Sequence, residues 1–410
     1  MKPARVLILD RRHESVGGTN HYLDSLIPAL THAGCEVELG LNKDPNLQEF
    51  RSKISRHGVI IHDTPICERP PKYVGAWLDE LIQQRDPQIL HVNCHAADMR
   101  KAIIGMPNWN RLECARLFTM HGSIINETHS LATSMMRYAP FSYTRRALIE
   151  RRTFLSFFDK CVSVSRKNIQ TVAENLSIPS SHFQCIPNGV DTAHFQPKFS
   201  DHCESECDGR VIIGTCGRLS SEKRLDILVR AFGLLQSSHP RTRLHLIGAG
   251  PEEQNLRELV HSLGLTNLVE FKGEQDDVRP ALRELDVFTV TSDNEGLPYA
   301  LLEAMSTSLP SIVSAVNELP HVVRDGREGF TFQRGNVKDL AAKLSLLVSD
   351  SRMRTEFGDN ARSRVIKNYS QAESLNKTIK FFLDHIPDPN TPPVPTSVRL
   401  FRNPKNGRND

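Results

Sequence analysis

Short apolar runs alternate along this chain with longer stretches whose apolar residues recur every three or four positions. The runs at 5–9, 37–39, 59–61, 89–92, 117–120 and 161–164 predict strands. Between them, 21–31 is apolar at Tyr22, Leu23, Leu26, Ile27 and Leu30, the stripe of an amphipathic helix, with Asn20 placed to cap it. Segments 74–84 and 147–158 read the same way. Strands that alternate with helices predict a doubly wound parallel sheet. The alternation stops at the turn of Ile186, Pro187, Asn188, Gly189, Val190 and Asp191, and a polar stretch rich in Asp, Glu and Ser follows. It restarts with strands at 211–216, 244–247, 268–271, 286–291, 311–313 and 329–332, and with helices at 225–235, 252–263 and 300–305. Helices at 338–347, 352–368 and 370–386 close the folded part.

This pattern divides the chain into a Rossmann-like domain at 1–195, a linker at 196–210 and a second Rossmann-like domain at 211–368. A last helix at 369–386 follows, and then a tail at 387–410, rich in Pro, Asn and Arg, with too little to bury to be ordered. Its 410 residues suit two domains, each with its own core. The formal charge of +3 is too small to call for nucleic acid. No apolar run reaches the length of a membrane span, and the first run, at 5–9, reads as a strand and not as a signal peptide. The nine cysteines are odd in number and sit mostly in strand-like contexts, which predicts free thiols and a cytoplasmic chain. Arg145, Arg146, Arg151 and Arg152 lie among aromatic residues. They form a basic face that could give weak peripheral contact with the inner face of a membrane or meet a phosphorylated acceptor; a solvated helix face is the commoner outcome.

Ligands of such sheets lie at the carboxyl ends of the strands, so the polar residues there are the candidates. In the first half these are Asn93, His95, His121, Ser123, Ser163 and Ser165, with Gly17 and Gly18 after the first strand allowing close backbone approach. The three-glycine dinucleotide fingerprint is missing, which argues against hydride chemistry. In the second half, Arg218 and Lys223 straddle a strand-to-helix loop, where two cations suit a diphosphate. The strand at 286–291 runs through Ser292, Asp293 and Asn294 into Glu295, Gly296, Leu297 and Pro298, and then into a helix holding Glu303. Free backbone N–H groups and a helix dipole make that turn an anion cradle, with Pro298 expected in the first helical turn. Glu295 and Glu303 beside it can accept from neutral hydroxyls, and the combination fits a nucleotide sugar.

In this order, on two tandem sheets, these motifs resemble the retaining GT-B glycosyltransferases of family four, up to about Asn368. The matching residues are Gly17 and Gly18, residues 186–191, Gly217 to Lys223, Gly248 and Gly250, and Glu295 with seven residues before Glu303. The resemblance implies two Rossmann-like domains facing across a crevice, the first for the acceptor, with the last helix crossing back to it. It implies a nucleotide-diphosphate sugar as donor and a glycan, lipid-linked or small-molecule acceptor, as in cell-envelope polysaccharide assembly. It places Glu295 on the transferred sugar, Glu303 on the ribose, and Arg218, Lys223 and the backbone of Gly296, Leu297 and Pro298 on the diphosphate. Lys272 and Gly273 would lie near the base, His121 beside the reacting sugar, and Gly17 and Gly18 close to both substrates. No Asp-x-Asp occurs, so the two cations can stand in for a metal and no cofactor is expected.

Departures from the family pattern cluster beside the expected donor. Ser308 stands where Gly is usual, Asn317 and Glu318 replace a Gly pair, and His321 replaces a common Glu. Asn tolerates a positive φ and Glu does so less well. Two other readings compete with a transferase: a nucleotide-sugar epimerase on the same architecture, and a protein that binds the nucleotide sugar without turnover.

Overall fold

The computed structural model describes residues 3–11, 18–65, 69–93, 97–106, 108–121, 152–197 and 209–388. Gly17, Cys94, His95, Ser123, Arg145, Arg146, Arg151, most of the polar linker and the tail beyond 388 lie outside the described residues. The chain forms two compact units, one holding the part up to Ile186 together with Leu375 onward, the other holding Pro187–Ser374.

In the first unit the strands are β1 (Arg5–Asp10), β2 (Glu36–Asn42), β3 (Ile60–Thr64), β4 (Ile89–Val92), β5 (Ala115–Met120), β6 (Lys160–Ser163) and β7 (Phe183–Cys185). They form one sheet in the order β3-β2-β1-β4-β5-β6-β7, every neighbouring pair parallel. Alternate residues serve opposite faces. Leu7, Leu9, Leu90, Val92, Phe118 and Met120 bury one face against helix Pro71–Arg85 through Val74, Leu78 and Leu81. Val6, Ile8, Val37, Leu39 and Leu117 bury the other against helix Gly18–His32 through Leu23, Leu26 and Ile27. Both faces are covered, so the strands read as unbroken apolar runs. Helix Gly18–His32 starts earlier than its apolar stripe, so the backbone of Asn20 lies inside it; a first turn has spare N–H groups and accommodates Gly. β7 is three residues long and partly exposed, too short to register as a run.

The second unit repeats the plan with β8 (Val211–Cys216), β9 (Thr242–Ile247), β10 (Val269–Gly273), β11 (Val287–Val290), β12 (Ser311–Ser314) and β13 (Gly329–Phe332), in the order β10-β9-β8-β11-β12-β13, all parallel. Helices Leu225–Leu235 and Val337–Ser349 bury Leu228, Phe232, Leu340 and Leu344 against it.

The division at Ile186 falls ahead of the boundary at 195 that composition suggested. Residues 187–197 are polar, yet they are held by the second unit through their backbone: Phe195 O accepts from Ser306 Oγ at 2.7 Å and from Arg362 Nη1 at 3.1 Å. The chain's two crossings run side by side within this unit. Val190 N donates to Tyr369 O and Gln371 N to Val190 O, both at 2.9 Å, and Ser374 Oγ donates to Pro187 O at 2.7 Å. Gly189 allows the approach, since a Cβ there would stand 2.5 Å from Ser370 O. Beyond the second crossing the final helix, Gln371–Leu383, delivers Phe381 and Phe382 to the core of the first unit.

Two glycines should therefore respond with opposite signs in denaturant melts. Gly189→Ala is expected to lower stability by about 1–3 kcal/mol, because backbone must move. Gly233→Ala, in a helix interior where the added carbon meets Leu265 at an ordinary 3.5 Å, is expected to raise it by about 0.5–1 kcal/mol.

Candidate active site

β8 lies between β9 and β11, so the chain leaves β8 towards one side of the sheet and β11 towards the other. The loops that follow these two strands part at this switch point and leave room for a ligand at their carboxyl ends. Arg218 and Lys223 lie on the first loop, Glu295 to Pro298 on the second.

The first loop is pressed against the turn after β9. Gly217 N donates to Ile247 O and Leu219 N to Ala249 O, each at 2.9 Å. A Cβ on Gly248 would stand 2.1 Å from Gly217 O, and one on Gly250 2.4 Å from Leu219 O. Those glycines let the backbones touch. Arg218, between the two clamped residues, is exposed, and its side chain has no partner among the described residues. A short 3-10 turn, Ser221–Lys223, then carries Lys223 towards the second loop.

There Lys223 Nζ meets Glu295 Oε1 at 2.5 Å, with only 28% and 11% of the side chains exposed. Ser292 Oγ donates to the same oxygen at 2.7 Å. Glu295 Oε2 has no partner among the described residues. Burial pulls the Lys223 ammonium down, but the adjacent carboxylate of Glu295 outweighs it and holds the group above its usual value. Two bonds to main-chain carbonyls stitch the loops together: Asp293 N donates to Glu222 O at 2.9 Å, and Thr291 Oγ1 to Lys223 O at 2.8 Å. Arg224 adds ion pairs to Asp226 and Asp293 at 3.0 and 3.1 Å.

Pro298 is still extended (φ −70, ψ 132), and the helix begins one residue later, as Tyr299–Ser306. The proline therefore precedes the first turn that was expected to contain it. Glu303 lies inside that helix, 6% exposed, and its carboxylate has no hydrogen-bond partner among the described residues. Burial lifts its carboxyl to about 7. It stands close enough to Cys216, the last residue of β8, to help burial push that thiol up to about 12, while Lys223 acts the other way. Lys223, Glu295 and Glu303 thus share one strand end.

Lys272 and Gly273, the other predicted site residues of this unit, end β10. Lys272 pairs with Glu270 at 3.0 Å and Glu284 at 2.9 Å, so its charge is already committed. Gly273 ends β10 with φ 68, a conformation that favours glycine. Ser308 and Asn317 hold φ values of 60 and 45, whereas Glu318 is right-handed at −83. The glutamate escapes the strain expected of it.

The first unit has its own switch point between β1 and β4. Here His121 Nε2 donates to Asn93 Oδ1 at 2.9 Å and Asn93 Nδ2 to Asp10 Oδ1 at 3.1 Å, while the Tyr22 ring stands edge-on to His121 at 4.8 Å. His91 shares a bond with Thr119 Oγ1 at 2.9 Å; burial, then the charge of His121, lowers it to about 3, so it is neutral. Asp10 was legible as a polar residue ending an apolar run, although only Asn93 and His121 were singled out. Ser292, Asn188 and Asn317 carry no local signal. Of the basic face only Arg152 is described, and it is half-buried. Among the described residues no helix is long and apolar enough to cross a membrane.

Comparison with known proteins adds an independent finding. Residues 16–194 match the model of the glycosyltransferase family 4, and residues 203–364 that of the glycosyl transferases group 1. Over 390 residues the chain is 24% identical to the N-acetyl-alpha-D-glucosaminyl L-malate synthase of Bacillus anthracis, covering 92% of this chain and 96% of that one. The fold is similar to that of the sucrose-phosphate synthase of Thermosynechococcus elongatus (TM-score 0.77, 19% identity, 93% and 98% of the two chains). It is also similar to that of Anabaena Alr3699/HepE in complex with UDP-glucose (0.73, 17%, 93% and 99%).

The raised Glu303 carboxyl gives a pH test in the absence of nucleotide. Its folded value of about 7 lies above the ordinary 4.5, so the folded state holds the proton more tightly, and stability falls as pH rises through that window. Glu303→Gln removes the effect. Relative to the native protein, the variant should gain on the order of 2–3 kcal/mol of unfolding free energy between pH 5 and pH 8. Parallel melts with no change in the difference would place Glu303 in contact with water or with a cation.

Proposed function

The chain belongs to the group 1 and family 4 glycosyl transferases of the GT-B fold, and from that membership we propose that it moves a hexose-type sugar from a nucleotide-diphosphate sugar to a hydroxyl of a glycan, lipid-linked or small-molecule acceptor, with retention of configuration and without a metal. The observation that carries this reading is the Lys223–Glu295 pair at the switch point of the second sheet, flanked by the exposed Arg218 and the buried Glu303.

Breaking the bond between the sugar and the diphosphate leaves charge on the phosphates. Arg218 and Lys223, with the Gly296 and Leu297 N–H groups, supply fixed positive potential to that leaving group. The free Oε2 of Glu295 accepts from the hydroxyls of the sugar, and Glu303 accepts from the ribose. Retention is read as a front-face reaction, since Lys223 and Ser292 both bind one oxygen of Glu295 and make it a poor nucleophile. The acceptor is assigned to the first unit, where His121, Asn93 and Asp10 form a polar network at the strand ends. A relative named as an N-acetyl-alpha-D-glucosaminyl L-malate synthase, and a neighbour of similar fold solved with UDP-glucose, are in keeping with a nucleotide-sugar donor.

The test is nucleotide release from UDP-, GDP- and ADP-sugars with candidate acceptors and a chelator. One donor is expected to be consumed, with kcat falling roughly 10²–10³-fold in Lys223→Ala and Glu295→Ala and the donor KM rising about tenfold in Arg218→Ala. Release that needs a divalent cation would end the metal-free reading. A donor that binds and is never consumed would leave a binding protein.

A further inference from the structure

Two carboxamides grip the backbone of the Glu295 loop from either side. Asn317 Nδ2 donates to Glu295 O at 2.9 Å and to Asn294 Oδ1 at 2.5 Å. Asn188 Nδ2 donates to Leu297 O at 2.8 Å, across 109 residues of sequence. Asn188 is buried, and its own Oδ1 has no hydrogen-bond partner among the described residues. An amide buried with one end unsatisfied costs stability, so the bond to Leu297 O is the contact that accounts for its place.

We propose that Asn317 and Asn188 are positioning residues that turn carbonyl oxygens away from the diphosphate, leave N–H groups facing it, and thereby set the main chain that carries Glu295. The proposal rests on the reading of this loop as the donor site. In a trans peptide the C=O and the following N–H point in opposite directions, and the described chain has no cis bonds. Holding Glu295 O therefore sends the Gly296 N–H the other way. The peptide between Leu297 and Pro298 has no N–H, so its oxygen is the only polar atom it can present. Left free, that oxygen could face an anion and repel it; Asn188 takes it up. Asn317 reaches the loop from a residue with φ 45, a backbone that glycine adopts without strain but also without an amide to offer.

The same grip leaves the carboxylate to other partners. Glu295 Oε1 is held by Lys223 and Ser292, and Ser314 Oγ holds Ser292 O at 2.7 Å. Removing the Asn317 amide should thus free the main chain at 294–296 while the ion pair survives. The effect belongs in turnover more than in binding.

Asn317→Gly separates the amide from the backbone, because it keeps the left-handed conformation. Measured on the full chain without nucleotide, amide exchange in the peptide covering 292–299 is expected to rise about fivefold or more with Tm within about 2 °C of native. With the consumed donor, kcat is expected to fall roughly 5–20-fold while the donor KM moves less than about twofold. Asn188→Asp, which replaces the donor by an oxygen facing Leu297 O, is expected to weaken binding of the nucleoside diphosphate, and Asn188→Gln to restore part of it. Unchanged loop exchange in Asn317→Gly would overturn the tether whatever the activity. Raised exchange with native kcat and KM would overturn the positioning role. If native protein consumes no donor at all, the donor-site reading fails and takes the catalytic half with it, while loop exchange still decides the tether.

Discussion

Charges withdrawn from water have to find each other, and the second unit is arranged around one such meeting. β8 and β11 are neighbours in the sheet but far apart in the chain, so Lys223 and Glu295 meet across loops that follow adjacent strands. Once paired, Glu295 holds the Lys223 ammonium above its usual value, and the loops around them are drawn into register by Thr291, Asp293 and Ser292. A site whose cation and carboxylate are already fixed needs little reorganisation to receive an anion. Under the function proposed above, that anion is the donor diphosphate, sharing Lys223 with Glu295.

Much of this frame was legible in the residues, for a physical reason. Parallel strands covered on both faces must be apolar throughout, and so β1, β4, β5, β8 and β11 announce themselves as runs. Polar residues at the ends of such runs have to be explained, and that brought out His121, Arg218, Lys223 and Glu295. What escaped was set by distance. Asn188 has no local sign of its bond to Leu297, and one of the two ion pairs of Lys272 comes from Glu284, beyond the next helix. The boundary at Ile186 was hidden because residues 187–197 are held by carbonyl oxygens, which every sequence has.

The residues that depart from the family pattern show how a loop absorbs substitution. Ser308 takes a left-handed conformation that costs a non-glycine residue roughly 1 kcal/mol. Asn317 adopts a similar one but makes two side-chain bonds in return. Glu318 is right-handed and bears no strain. At 321 the contact is with the main chain, since Arg364 Nη2 donates to His321 O at 2.5 Å, and the side chain there is free to vary. None of these changes removes Arg218, Lys223, Glu295 or Glu303.

The final helix gives the chain an unusual genetic grammar. Phe381 and Phe382 are among the most completely buried side chains of the first unit, although they are encoded after the whole of the second. A recombination event that joined the front half of one such protein to the back half of another at residue 187 would therefore not exchange a whole unit. It would leave the first core filled by a foreign plug. Inheritance of the first unit with its core intact requires two breakpoints, with the last helix travelling with the opening segment it completes.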